Sequence, residues 1–162
     1  VGIDSTRFMM LNRSNDVELD FDFEKVTEKS KENPVFYVQY AYARISSIFR
    51  ILKLNLNDKI VVKNEDYNFN QHEIEILKKI SEWPKCVDLA LTKLEPHRIP
   101  FYLYELVTLF HYYWSIGKEN KEFRFISGNK VKNNYKLILL QSLSIVISNG
   151  MSILGVTTPS SM

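Results

Sequence analysis

Tyr37, Tyr40 and Arg44 carry the most suggestive chemistry in this chain. They stand three and four residues apart, so a helix would set all three on one face. Two phenol rings and a guanidinium on one ridge could stack unpaired bases beside a phosphate. The same spacing also suits tyrosines that flank an apolar stripe, half-buried with their hydroxyls in water. The residues alone leave both readings open.

Other reactive types offer less. His72, His97 and His111 lie far apart in sequence and lack metal-ligand spacing. The single cysteine, Cys86, supports neither a disulfide framework nor a Cys-rich zinc site. We expect no catalytic residue and no metal site. Cys86 reads as a packing residue, although the adjacent Lys85 could in principle depress its thiol pKa. His97, beside Pro96, reads as a capping or packing residue. Asp20 and Asp22 look like paired carboxylates, and the same segment offers an N-cap. Lys118, Lys121, Arg124, Lys130, Lys132 and Lys136 form a basic run. It is either a solvated face or a set of phosphate contacts, which would give affinity a salt slope of roughly −0.7 per phosphate for single strands.

The elements that must position these residues read as helices. A short helical stretch spans Asp4–Arg13, and a second is expected from Asp20 to about Lys29. Asn33-Pro34 restarts the chain, with proline suited to a first turn. The next helix is expected to reach about Leu54, with Val38, Ala41, Ile45, Ile48, Phe49 and Leu52 as its core stripe. Tyr37, Tyr40, Arg44 and Ile51 flank that stripe, while Gln39, Ala43, Ser46 and Arg50 lie roughly opposite. Residues 55–70 read as a polar loop containing a β-branched patch, Ile60-Val61-Val62. Gln71–Ser81 is amphipathic, with Ile74, Leu77 and Ile80 expected inward, and Pro84 begins a short helix over Lys85–Lys93.

A long helix follows Glu95-Pro96-His97-Arg98 to about Ile116. Its stripe is Leu103, Leu106, Val107, Phe110, Tyr113 and Trp114. Residues 117–134 read as a loop and Tyr135–Leu154 as the last helix. Gly150 lies inside that helix, where glycine costs about 1 kcal/mol against alanine, which suggests that another backbone packs close. The result is an all-α helical bundle.

The chain has 162 residues, 45% of them hydrophobic, enough for a core without staples. Net charge is +2, unevenly spread: residues 1–32 carry −3 and residues 33–162 carry +5. A mildly basic helical domain suits a polyanion, as it suits much else. The apolar stretch 137–156 has the length of a membrane span. Gln141, four serines and Asn149-Gly150 interrupt it, so a buried bundle helix is expected, with no membrane partner.

Four segments, in order, resemble arginyl-tRNA synthetases. Val1-Gly2-Ile3-Asp4-Ser5-Thr6-Arg7-Phe8 with Leu19-Asp20-Phe21-Asp22 is similar to the family's VGADA-x-RF … LDFD stretch. Asn33-Pro34 through Tyr37-Val38-Gln39-Tyr40-Ala41 and Arg44 looks like its NP-x-x-YVQYA-x-AR helix. Glu95-Pro96-His97-Arg98-Ile99, Tyr102-Leu103-Tyr104-Glu105-Leu106 and Phe110 resemble EPHRL … YLYEL … F. Asn149-Gly150-Met151 through Gly155-Val156, Pro159 and Met162 resembles the closing NGL-x-LLGV-x-AP-x-x-M.

The resemblance implies the anticodon-binding helical domain of a class I aminoacyl-tRNA synthetase over residues 33–162. Residues 1–32 would be the end of the catalytic or connecting region. It implies tRNA-binding roles for Tyr37, Tyr40 and Arg44, which match family positions that lie against the anticodon loop. Trp114 stands where the family usually has tyrosine, and core packing remains an equal reading for it. Met162 matches the family's terminal methionine, whose carboxylate and thioether would contribute to the site.

The implied partners are an arginine tRNA, through its anticodon stem-loop, and the catalytic domain of the same chain. The family's His-x-Gly-His motif and Lys-Met-Ser-Lys-type loop do not occur in this sequence. The chain is therefore expected to be a fragment, inactive alone and without a cofactor. The parent arginine–tRNA ligase would use ATP with magnesium, and a cytoplasmic monomer is expected. The competing reading is a helical protein–protein interaction module that has lost RNA binding.

Overall fold

Asn33 and Pro34 show how local signals fix an element here. The Asn33 side chain accepts a hydrogen bond from the Phe36 N–H, and Pro34 occupies a first-turn position that needs no donor. The resulting helix holds the aromatic ridge. A computed structural model describes residues 2–14, 16–18, 27–28, 30–61 and 67–162. In chain order its elements are α1 (Ile3–Leu11), α2 (Pro34–Ile51), α3 (Gln71–Ser81), α4 (Trp83–Thr92), α5 (Arg98–Glu119) and α6 (Asn134–Leu154). Between α5 and α6 lie a 3-10 turn, Lys121–Phe123, and two short strands, β1 (Ile126–Ser127) and β2 (Lys130–Val131).

The all-α expectation holds, and α5 is its axis, packed against α2, α3, α4 and α6. Leu103, Leu106, Val107, Phe110 and Tyr113 on α5 are wholly buried. The α2 stripe is buried at Val38, Ala41, Ile45, Ile48 and Phe49. By length and composition α6 could cross a membrane. In this fold its Leu139, Leu140, Leu143, Ile147, Met151 and Leu154 lie in the core. The notch at Gly150 is filled by a side chain rather than by a second backbone: a Cβ there would meet Leu103 at 2.8 Å.

Several expectations need correction. Residues 117–134 are not a plain loop: α5 continues to Glu119, and β1 pairs antiparallel with β2, Ile126 opposite Val131. Gly128, at φ +59°, supplies the left-handed residue of the two-residue turn. On α3 the sealed positions are Glu73 and Ile76, with Leu77 and Ile80 packed at the core's edge and Ile74 outside it. The charge of Glu73 is affordable because the Lys136 ammonium lies 3.1 Å away.

The α2 face expected opposite the core is not solvated either, since Ala43 and Ser46 are buried. The chain beyond α6 turns back along it at Gly155, whose φ is +66°. Gln39 donates to the Thr157 carbonyl (3.0 Å) and Arg50 to that of Ser160 (2.8 Å). The helix expected from Asp20 to Lys29 falls largely outside the described residues. Ile60 and Val61 belong to no helix or strand, and Val62 is outside the described residues.

Candidate nucleic-acid interface

Positions 37, 40 and 44 of α2 face α5, as their spacing requires. Tyr40 stacks on Phe36 (centroids 5.7 Å apart, planes 16°). The Arg44 guanidinium carbon sits 4.1 Å from the centre of the Tyr40 ring and 5.1 Å from that of Trp114. Its Nη2 also donates to the Tyr40 hydroxyl at 3.0 Å. Tyr40, Arg44 and Trp114 are all half-buried. Trp114 packs one side on Phe110 and Phe125, as the core reading expects, and turns the other to Arg44.

The tail completes the arrangement. Ser160, Ser161 and Met162 return along α2 to line a cavity of about 450 Å³ with Tyr40, Arg44 and Trp114. Met162 stays 56% exposed, so it forms an edge rather than a plug. Four of the five expected residues therefore meet at one cavity. Tyr37 does not line it. Its ring packs on Tyr104 (5.4 Å) and His111 (4.3 Å), and burial raises its pKa.

His111 is the residue that sequence reasoning missed. It is buried on α5, and it touches every member of the Tyr37–Tyr40–Arg44 ridge. Nε2 lies 3.1 Å from the Tyr37 carbonyl oxygen, which can only accept, so Nε2 carries the proton. Nδ1 is then free to accept from Arg44 Nη1 at 3.0 Å. Burial lowers the His111 pKa to about 4, and the Arg44 charge acts in the same direction. The neutral ring thus fixes Arg44 without cancelling its charge. A signal existed: His111 continues the Leu103, Val107 register at four-residue spacing, a polar residue where the stripe demands burial.

The remaining candidates are structural. His97 packs edge-on against Phe101 but caps nothing, and its Nδ1 is buried without a partner. Burial raises the Cys86 thiol pKa instead of depressing it, and the sulfur contacts the Arg98 carbonyl. Lys136 is withdrawn from the basic run by its buried pairing with Glu73. Asp20 and Asp22 lie outside the described residues.

Comparison with known proteins places this architecture among anticodon binding domains. The chain belongs to the DALR anticodon binding domain family, which it matches over residues 38–162. It is 57% identical over 162 residues to the arginine–tRNA ligase of Pelagibacter ubique and 47% identical over 168 residues to that of Ruegeria pomeroyi. Both alignments cover 100% of this chain but only 28% and 29% of those enzymes. Among solved structures, one from Campylobacter jejuni assigned as an arginyl-tRNA synthetase superposes with a TM-score of 0.82 at 25% identity, covering 98% of this chain and 33% of that one. The Thermus thermophilus arginyl-tRNA synthetase shares the fold at TM-score 0.78 and 23% identity, with 98% and 26% covered.

Proposed function

We propose that this chain is the anticodon-recognition domain of an arginine–tRNA ligase and that it binds the anticodon stem-loop of an arginine tRNA. Residues 33–162 form that domain, and residues 1–32 connect it to a catalytic region that supplies the ATP- and magnesium-dependent joining of arginine to tRNA. The enzyme acts in the cytoplasm, as a monomer. The observation that carries the reading is the convergence of α2, α5 and the tail on one cavity bearing Tyr40, Arg44, Trp114 and Met162.

An unpaired base packs against the exposed edges of Tyr40 and Trp114, and the Arg44 guanidinium meets the neighbouring phosphate. The Met162 thioether gives the base a soft apolar edge. Tyr37 acts from beneath, through His111. Correct docking of the anticodon positions the acceptor end at the distant active site, so the domain affects catalysis without holding a catalytic residue.

The test compares binding of this chain to an arginine tRNA and to the same tRNA with its anticodon replaced, at two salt concentrations. A preference for the arginine anticodon is expected, weakened by salt and reduced about tenfold in Tyr40→Ala, the loss typical of one stacked base. Equal binding to both tRNAs overturns the reading. Indifference to salt and to Tyr40→Ala would point to a protein–protein surface instead.

A further inference from the structure

Trp114 has a second cavity on its other side, of about 460 Å³. It is lined by Ile48 and Ile51 of α2 and by Phe123, Phe125 and Ile126 of the 3-10 turn and hairpin. Ser47, Trp114 and Lys118 line both cavities, so the indole is a partition between neighbours rather than the end of one site. The lining is largely apolar, with cations at its edge. Arg124 is held there by bonds from Nε to the Gly117 carbonyl (2.7 Å) and from Nη2 to the Lys118 carbonyl (3.2 Å). Along 117–132 five cations face two carboxylates, and Lys121, Lys130 and Lys132 are exposed.

We propose that this second cavity takes one further unpaired nucleobase of the same RNA strand, the one adjacent to the base held on the Arg44 side. The proposal rests on the function given above and extends it. An occupant must match a lining of aromatic and aliphatic side chains and an edge of positive charge. A nucleobase with its own phosphate supplies both, because every base has a π-face and every nucleotide an anion. Successive bases of a splayed strand can then sit on opposite sides of one indole. A peptide side chain would satisfy the lining and leave the Lys118, Arg124, Lys121, Lys130 and Lys132 field unanswered. The continuity of the two cavities through Trp114 favours one ligand that enters both.

Ile51 is 44% exposed at this cavity, so it can be changed without disturbing the core. Ile51→Trp fills the space, and Ile51→Ala leaves it open. Each is tested against an arginine-tRNA anticodon stem-loop and a series of the same RNA with single loop bases removed. We expect Ile51→Trp to bind about tenfold more weakly at unchanged melting temperature, with Ile51→Ala losing less because the cavity stays open. Removal of one particular base should weaken binding by the parent chain about tenfold and cost Ile51→Trp nothing, since that base no longer has a seat. Ile51→Trp binding like the parent, or paying the full penalty at every removed base, overturns the proposal and leaves the cavity to another partner. If Tyr40→Ala weakens binding while Ile51→Trp does not, the pocket fails and anticodon recognition stands. If Tyr40→Ala and the parent bind alike, both fail together.

Discussion

Two polar clusters hang from α5, two residues apart and about 200° around the helix. Tyr113 sits in a sealed cluster with α3 and α6, and His111 in a half-open one with α2. In the sealed cluster, Tyr113 donates to Glu73 (2.6 Å) and accepts from Lys136 (2.8 Å) and Asn70 (3.2 Å). Burial and the Glu73 bond raise its pKa, which keeps the phenol neutral. Asn70 and Glu73 also form the capping box that starts α3. Every charge there has its opposite. In the half-open cluster, Arg44 is held by a phenol oxygen, a neutral imidazole and two rings, none of which carries a negative charge. Similar side chains thus serve different ends: closed and neutralised, they fasten helices together, while open and left charged, they can receive a ligand.

Breaking the sealed cluster should have the largest effect. Lys136→Met leaves the Glu73 carboxylate buried and unpaired, and the unfolding free energy should fall by about 3–5 kcal/mol. Adding Glu73→Gln should restore most of it, because the orphaned charge is then gone. Urea titration of the single and double variants checks both statements. A single variant as stable as the parent would mean that the pair is no fastener.

The half-open cluster should answer to acid. The His111 pKa is about 4 in the fold against 6.5 in the free side chain, so the unfolded chain binds more protons between those values. Stability from this residue is complete above pH 6.5 and drains away as pH falls toward 4, by roughly 3 kcal/mol in all. Urea unfolding near pH 7 and near pH 4.5 should show the loss in the parent chain and a smaller one in His111→Phe. Equal losses would separate His111 from the acid response. The smallest effect is expected at the rim, where Arg50→Ala removes the bond to Ser160, worth about 1 kcal/mol. Faster amide exchange over residues 156–162, with global stability unchanged, is the expected result.

What could be read in advance follows from how far each signal reaches. The Asn33-Pro34 start and the stripes of α2 and α5 are local, and they place Tyr37, Tyr40 and Arg44 correctly. The tail that runs along the Ala43 and Ser46 face comes from more than a hundred residues away, so periodicity set these two only opposite the core stripe. Glu73 was missed because a carboxylate on a helix reads as surface until Lys136 is brought to it. The Asn70-x-x-Glu73 capping box is local too, and α3 starts at Gln71, where its amphipathic pattern places it. The hairpin had its Gly128-Asn129 signal, but two-residue strands are too short to alternate.

The neutral cradle of Arg44 has a further consequence. A guanidinium whose hydrogen-bond and ring partners are all uncharged draws mobile anions from the buffer, as a resin bead does. RNA arriving there must exchange with them, and their release is part of what drives binding. The site therefore works as a small ion exchanger, and the choice of salt, chloride against a more tightly held sulfate or phosphate, should set its working range as firmly as any base contact.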